Sequence, residues 1–159
     1  MDRQIFRSGM SRLAAAVNII TTDGPAGRSG FTASAVCSVT DDPPMLLVCM
    51  NRGNSHAEAF LTNRVLCVNT LGAGAEELSN TFAGMRGLEG AERFGVGDWS
   101  RLETGAPVLD SAACAFDCEI AEVAEQGTHA VLFARVRAVR LGPDSGGLVY
   151  FQRRYHVVA

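Results

Sequence analysis

The run Gly30–Pro44 (GFTASAVCSVTDDPP) constrains this chain more than any other stretch. It alternates with a period of two. Phe31, Ala33, Ala35, Cys37 and Val39 fall on one side of an extended strand, and Thr32, Ser34, Ser38 and Thr40 on the other, with Val36 among them. That period predicts a strand from Phe31 to about Val39. Asp41-Asp42-Pro43-Pro44 ends it, because proline brings no N–H to a ladder. The small side chains let a flat, heteroatom-rich ring approach the backbone, whose N–H groups then donate to it. The plainer alternative is a Ser/Thr-rich strand with one solvated face, so the neighbouring motifs have to decide.

Around this strand the periodicity changes repeatedly. Phe6, Met10, Leu13 and Val17 recur at helical spacing and predict a helix over about Gln4–Ala16. Val17–Thr22 reads as a strand, followed by a turn at Asp23–Gly27. Met45–Met50 is wholly apolar, as in a strand buried on both sides. Ser55 and Glu58 make an S-x-x-E capping box for a short helix ending near Asn63. Val65–Leu71 reads as a strand, and Ala75–Phe82 as a helix with Gly84 as its terminal glycine. Met85–Pro107 lacks periodicity and reads as a surface excursion. Cys114–Val123 alternates, with Cys114, Phe116, Cys118 and Ile120 set against Asp117 and Glu119. Gly127-Thr128-His129 turns into a strand over Ala130–Leu141, and Leu148–Phe151 is the last strand before the tail. No β-α-β unit with a long crossover is visible. The order predicts one mainly β domain over residues 1–159, a Greek-key-like barrel with an N-terminal helix and short helical inserts.

Composition narrows the chemistry. All 14 basic residues are arginine, which excludes a Schiff-base lysine and a P-loop lysine. The net charge of −3 gives no electrostatic footprint for nucleic acid or an anionic membrane. Cys37, Cys49, Cys67, Cys114 and Cys118 are odd in number and include no C-x-x-C, so they read as free thiols in a reducing cytoplasm. The N-terminal residues lack the pattern of a signal peptide, and no apolar run is long enough to span a membrane. His56, His129 and His156 lack metal-ligand spacing, so no metal is expected. A G-x-G-x-x-G fingerprint is absent, so any nicotinamide nucleotide has to bind without a Rossmann unit.

Three further places can carry chemistry. Asn51, Arg52 and the helix start at Ser55 offer polar groups, a charge and free N–H donors for a phosphate. Arg52 enters on charge and position alone. Thr81-Phe82-Ala83-Gly84 offers an aromatic ring and close backbone. His129, at the start of a strand, and the tail Arg153-Arg154-Tyr155-His156 bring titratable and basic groups to turns. Read singly, each is equally an ordinary capped helix, core phenylalanine or turn histidine.

Taken together, AAVNIITTDGPAGRSGFTASAVCSVTDDPPMLLVCMNRGNS, LCVNTL, TFAG, ERF, GTH and GLVYFQRRYH resemble the short-chain flavin reductases. These are the reductase components of two-component flavin monooxygenases. The likeness covers nearly the whole chain. It is strongest to the branch that serves pyrimidine utilisation, and next to the branch that serves aromatic hydroxylation. The resemblance implies a flavin-binding split β-barrel, a homodimer, FMN or FAD as the flavin, and NADH (or NADPH) as electron donor. It implies a partner monooxygenase served by diffusible reduced flavin. It assigns Thr32, Ala33, Ser34 and Ala35 to the isoalloxazine, and Cys49, Asn51 and Ser55 to the ribityl-phosphate end. Phe82, Ala83 and Gly84 would close the ring site, and His129 and Tyr155 would border the nicotinamide. No catalytic side chain is strictly required, with His129 as the one candidate. The competing functions are a non-catalytic flavin carrier and an oxidase with fixed FMN.

Overall fold

The computed structural model describes all residues, Met1–Ala159. A helix, α1 (Arg3–Met10), precedes strands β1 (Ala15–Ala16), β2 (Asn18–Thr22), β3 (Ser29–Ala33), β4 (Val36–Asp41) and β5 (Pro44–Asn51). Then come α2 (Ala57–Asn63), β6 (Val65–Thr70), α3 (Glu76–Phe82) and a 3-10 helix over Gly90–Gly95. The chain ends with β7 (Trp99–Arg101), β8 (Pro107–Leu109), β9 (Cys114–Gln126), β10 (His129–Leu141), β11 (Gly147–Phe151) and β12 (Arg154–Val158). The fold is mainly β. Its centre is a seven-stranded antiparallel sheet in the order β3-β2-β6-β9-β10-β5-β4. A three-stranded sheet, β1-β11-β12, and the β7–β8 hairpin complete it.

The expected Phe31–Val39 strand is two strands. β3 and β4 lie at opposite edges of the large sheet, joined only by Ser34 and Ala35. Three Cα steps of ~3.8 Å hold Ala33 and Val36 within about 11 Å of each other. The sheet is therefore obliged to curl, and no ladder joins β3 to β4 across that seam. Inside the curl, Ile20, Val48, Met50, Phe60, Leu66, Val68 and Leu132 form the main core. A second cluster around Ile19, Leu71, Phe82, Leu109 and Leu148 lies on the other face.

Several expectations need correction. α1 stops at Met10, not Ala16, because Ala15 and Ala16 pair with Tyr150 and Val149 of β11. Asp2, not a longer apolar register, fixes its start, accepting from the N–H groups of Gln4 and Ile5. β5 is not buried on both sides. Leu46, Val48 and Met50 are buried while their neighbours are half-exposed, as suits a strand next to the edge. Met85–Pro107 is no mere excursion. Its Phe94 packs edgewise and its Trp99 tilted on Phe82, with centroids 5.1 and 5.4 Å away. Asp117, which alternates with the apolar residues of this strand, is fully buried. The chain leading into β8 covers it, and Thr104 donates to its carboxylate through both N–H and hydroxyl. The same covering is held by Thr21, whose hydroxyl donates to Pro107 O, and by Asn69, whose Oδ1 accepts from Leu109 N–H at 2.8 Å. Gly84 ends α3 as expected, with φ at +81° just after the cap residue Ala83.

Gly30 is where β3 meets α3 most closely. A Cβ there would lie 2.9 Å from Phe82 Cε1 and 3.0 Å from the Ile20 carbonyl oxygen. Gly30→Ala therefore overpacks the junction and should cost about 1–3 kcal/mol, read as a fall in thermal midpoint. Gly95→Ala, with open space around its Cβ, is the control and should melt close to the wild type.

Candidate functional site

β3, α3, the loop before α2 and the β11–β12 hairpin enclose a trough at the sheet's seam. One end is a cleft of about 250 Å3 lined by Val17, Thr32, Ala33, Ser34, Ser79, Ala83, Met85, Tyr150 and Tyr155. Its walls are mostly apolar and its floor has small side chains. At Thr32 and Ala83 it meets a second cleft of about 210 Å3, lined also by Phe31, Asn54, Ser55, His56, Phe82 and Arg93. Beyond Ser55, His56 and Arg93 the trough opens towards Ser29, Glu89, Gly90 and Glu92. An apolar slot thus runs into a polar, cationic pocket and then meets carboxylates.

Each wall has a local cause. Thr32 is not a free hydroxyl, because its Oγ1 donates to Ser79 O at 2.7 Å and ties β3 to α3. Tyr155 is fixed from two sides. Its hydroxyl lies 2.8 Å from Ser79 Oγ and donates to Asn80 Oδ1 at 3.1 Å, while its ring packs edgewise on Tyr150. Arg93 staples the middle of the trough, donating to the carbonyls of Leu88, Gly30 and Phe82. Its Nη2 makes none of these bonds and points towards Gly84, where a Cβ would stand 3.3 Å away. The Phe82 ring is a core ring, and what it presents to the trough is the backbone around it.

Sequence reasoning missed His56. Its ring stacks on Phe31 with centroids 4.6 Å apart and planes 6° from parallel. Its Nε2 is sealed from solvent and has no hydrogen-bond partner. Burial first, and the nearby Arg93 charge second, lower its pKa to about 4. The S-x-x-E signal misled here. α2 starts at Ala57, His56 occupies the cap position, and no side chain caps it. The available signal was an apolar Phe31 and a histidine flanking the same small-residue strand, which periodicity does not reveal.

The other candidates divide into groups. Ser34 lines the slot, and Ala35, next to it, accepts from Cys49 N–H at 3.0 Å. Asn51 follows on the same strand and pairs in register with His129. Ala35 in the β3–β4 link, Cys49 and Asn51 on β5 and His129 on β10 thus lie beyond the seam and line neither cleft of the trough. Asn51 Oδ1 accepts from Gly53 N–H, and His129 Nδ1 lies 2.9 Å from Thr128 Oγ1. Arg52 lines no part of the trough. It donates to Gly127 O and pairs with Glu125 at 3.3 Å, which fastens the loop after β5 to the β9–β10 turn. The cation at the polar end is Arg93.

Comparison with known proteins agrees with this geometry. Residues 10–159 match the family model described as a flavin reductase like domain. The chain belongs to the flavin reductase family. Among curated flavin reductases, it is 57% identical over 154 residues to the FMN reductase (NADH) RutF of Variovorax paradoxus (strain S110), covering 97% of this chain and 84% of that one. It is 55% identical over 158 residues to the protein of the same name from Escherichia coli (strain K12), covering 99% and 95%. Among solved flavin reductase structures, a Haemophilus somnus 129PT protein put forward as a flavin reductase superposes with a TM-score of 0.95 at 47% identity, covering 99% and 100%. No helix is long and apolar enough to cross a membrane.

His56 gives this site a pH signature. Its native pKa of about 4 lies below its unfolded value of 6.5. Between these values the unfolded chain binds the proton and the native chain does not, so stability falls as pH falls through that window. The thermal midpoint should drop from pH 6.5 towards pH 4, and His56→Phe, which keeps the stack on Phe31, should flatten that part of the profile. A profile identical in the variant would remove His56 from the account.

Proposed function

We propose that this chain is an NADH:flavin oxidoreductase that reduces FMN and releases it to a separate flavin-dependent monooxygenase. The observation that carries the reading is the gradient along the trough, from a small-residue apolar slot to a pocket holding Asn54, Ser55 and Arg93. An isoalloxazine suits the slot and a phosphate suits the pocket. The free Arg93 Nη2 and the absence of any ion pair to Arg93 leave a positive charge available there. Glu89 and Glu92 lie beyond it and repel a second phosphate, which favours FMN over FAD. The curated relatives' names make NADH the donor of first choice. The likeness to the pyrimidine-utilisation branch supports a partner oxygenase in pyrimidine breakdown. The five unpaired thiols suit a reducing cytoplasm.

Flavin and nicotinamide supply the redox chemistry, a hydride passing from nicotinamide C4 to flavin N5. The chain's part is to bind, align and shield. Ala33, Ser34 and Ala83 keep side chains short, so a ring can lie against backbone and a second ring can stack over it at about 3–3.5 Å. Tyr155, held by Ser79 and Asn80, limits the open side and excludes water. No side chain takes or gives a proton in the hydride step. Ala35, Cys49 and Asn51 would meet the flavin edge across the seam, with Gly84 leaving room for Arg93. His129, which pairs in register with Asn51 beyond the seam, would border the nicotinamide.

The seam and curl of the large sheet support the split-barrel form of the fold. A homodimer would cover the apolar groove that Val36, Met45, Phe116 and Val136 form at the rim of the main core, on strands where Val39, Val139 and Leu141 are 44, 50 and 81% exposed.

The test is NADH oxidation with and without added flavin. Turnover should rise with free FMN, and FMN should bind more tightly than riboflavin by roughly tenfold or more, the worth of a charge-assisted phosphate contact. Flavin bound without NADH oxidation would make the chain a carrier. Ser34→Leu fills the slot and should abolish FMN quenching in a folded protein; wild-type affinity in that variant would move the ring elsewhere. Sedimentation should give a dimer at micromolar concentration.

A further inference from the structure

Charge is unevenly spread on this chain. Arg3, Arg7, Arg12, Arg153 and Arg154 lie in α1, the segment after it and the β11–β12 hairpin, and the only carboxylate in those segments is Asp2. Asp2 is occupied in capping α1. The fold gathers these distant segments, because β1 pairs with β11 and Gln152 N–H donates to Ser11 O at 2.6 Å. None of the five arginines forms an ion pair. Arg7 and Arg153 meet with Gln4 around one cleft of about 460 Å3. Gln4 and Arg7 are three apart on α1 and so share a helix face.

The turn that presents Arg153 is itself unusual. Phe151 pairs with Arg154, so Gln152 and Arg153 form a two-residue hairpin turn, with φ at +49° and +61°. Such a turn favours Asn-Gly, because left-handed backbone is costly for residues with long side chains. Here the chain sets an arginine where glycine would be more stable, and that arginine faces another cation with no carboxylate between them.

We propose that this cleft is an anion subsite for the pyrophosphate of the pyridine dinucleotide, a proposal that rests on the reading of the trough as a flavin–nicotinamide site. Tyr150 and Tyr155 are opposed in register and line the ring end of the trough. Arg153 lies two residues before Tyr155 on the same hairpin, so their Cα atoms are at most about 7 Å apart. That is about one ribose between a stacked nicotinamide and its first phosphate. Guanidinium groups match phosphate oxygens in bidentate pairs, and two of them around a concave cleft suit a compact anion better than the broad face of an acidic protein.

The test uses ADP-ribose, which carries the pyrophosphate without the nicotinamide. Calorimetric titration of the whole protein should show binding that weakens roughly tenfold or more in Arg153→Gly and in Arg7→Gln, the loss of one charge-assisted pair. Arg153→Gly should also melt above the wild type, since glycine accepts the left-handed turn, so its lost affinity is not a folding defect. In turnover both variants should raise KM for NADH and leave KM for FMN unchanged. No ADP-ribose binding by the wild type, or equal affinity in both variants, overturns the proposal. A raised KM for FMN alone would give the cleft to the flavin phosphate, and a defect seen only with the oxygenase present would give it to that partner; either overturns it. Arginine-dependent ADP-ribose binding without NADH oxidation would instead sink flavin reduction and leave the subsite standing.

Discussion

Ser34 and Ala35 tether opposite edges of a seven-stranded sheet, and much of the molecule follows from that tether. Two residues cannot bridge a flat sheet, so the sheet bends until β3 and β4 are neighbours without being paired. The bend buries Ile20, Val48, Phe60 and Leu132 on its inner side. It also leaves a line along which backbone N–H and C=O groups have no ladder partner. An edge of this kind is a hazard if left bare. Here α3 covers part of it through the Thr32–Ser79 bond, and the remainder is the floor of the trough.

How much of this was legible in the sequence depends on the range of the interaction. Strands read from short local runs, Val17–Thr22, Val65–Leu71 and the alternating Cys114–Val123, match β2, β6 and β9 to within a few residues. The proline stop after Asp41 and the glycine after α3 act locally, and both are where the residues say. The small-residue run lines the trough, but its break at Ser34–Ala35 was not visible, because alternation continues unbroken through it. Asp117 alternates like a solvated residue, and only the chain leading into β8, closing over it from a distance, makes it a buried acceptor. Arg52 and Arg93 show the same limit. Charge and loop position favoured Arg52, yet pairing across the sheet gives Arg52 to Glu125 and brings Arg93 to the trough.

Buried polar groups do most of the positioning. Thr21, Asn69 and Asp117 hold the chain around the β7–β8 hairpin against the outer sheet face through hydroxyl, amide and carboxylate contacts. Ser79 does the same on the trough side, binding Thr32 through its carbonyl and Tyr155 through its hydroxyl. A satisfied polar group in a dry setting fixes one geometry where apolar packing would tolerate several. His56 is the exception. It gives up a partner for its Nε2 and is held by aromatic packing, stacked on Phe31 and edgewise to Phe60.

The three-stranded sheet β1-β11-β12 has a thermodynamic meaning of its own. Its ladder is separate from that of the large sheet, to which only Leu148 and the Gly72–Gly147 bridge tie it through the backbone of Val17 and Leu71, and β12 is mostly exposed. Such an element opens and recloses as a separate cooperative unit, below the free energy of global unfolding. Tyr150 and Tyr155 belong to that unit, whereas Thr32, Ala33 and Ser34 belong to the other. Anything lodged between them is a clamp across two foldons. Its binding energy is spent partly in suppressing hairpin opening, so amide exchange along β11 and β12 becomes a gauge of occupancy, and each release is accompanied by a brief loosening of the chain's last strands.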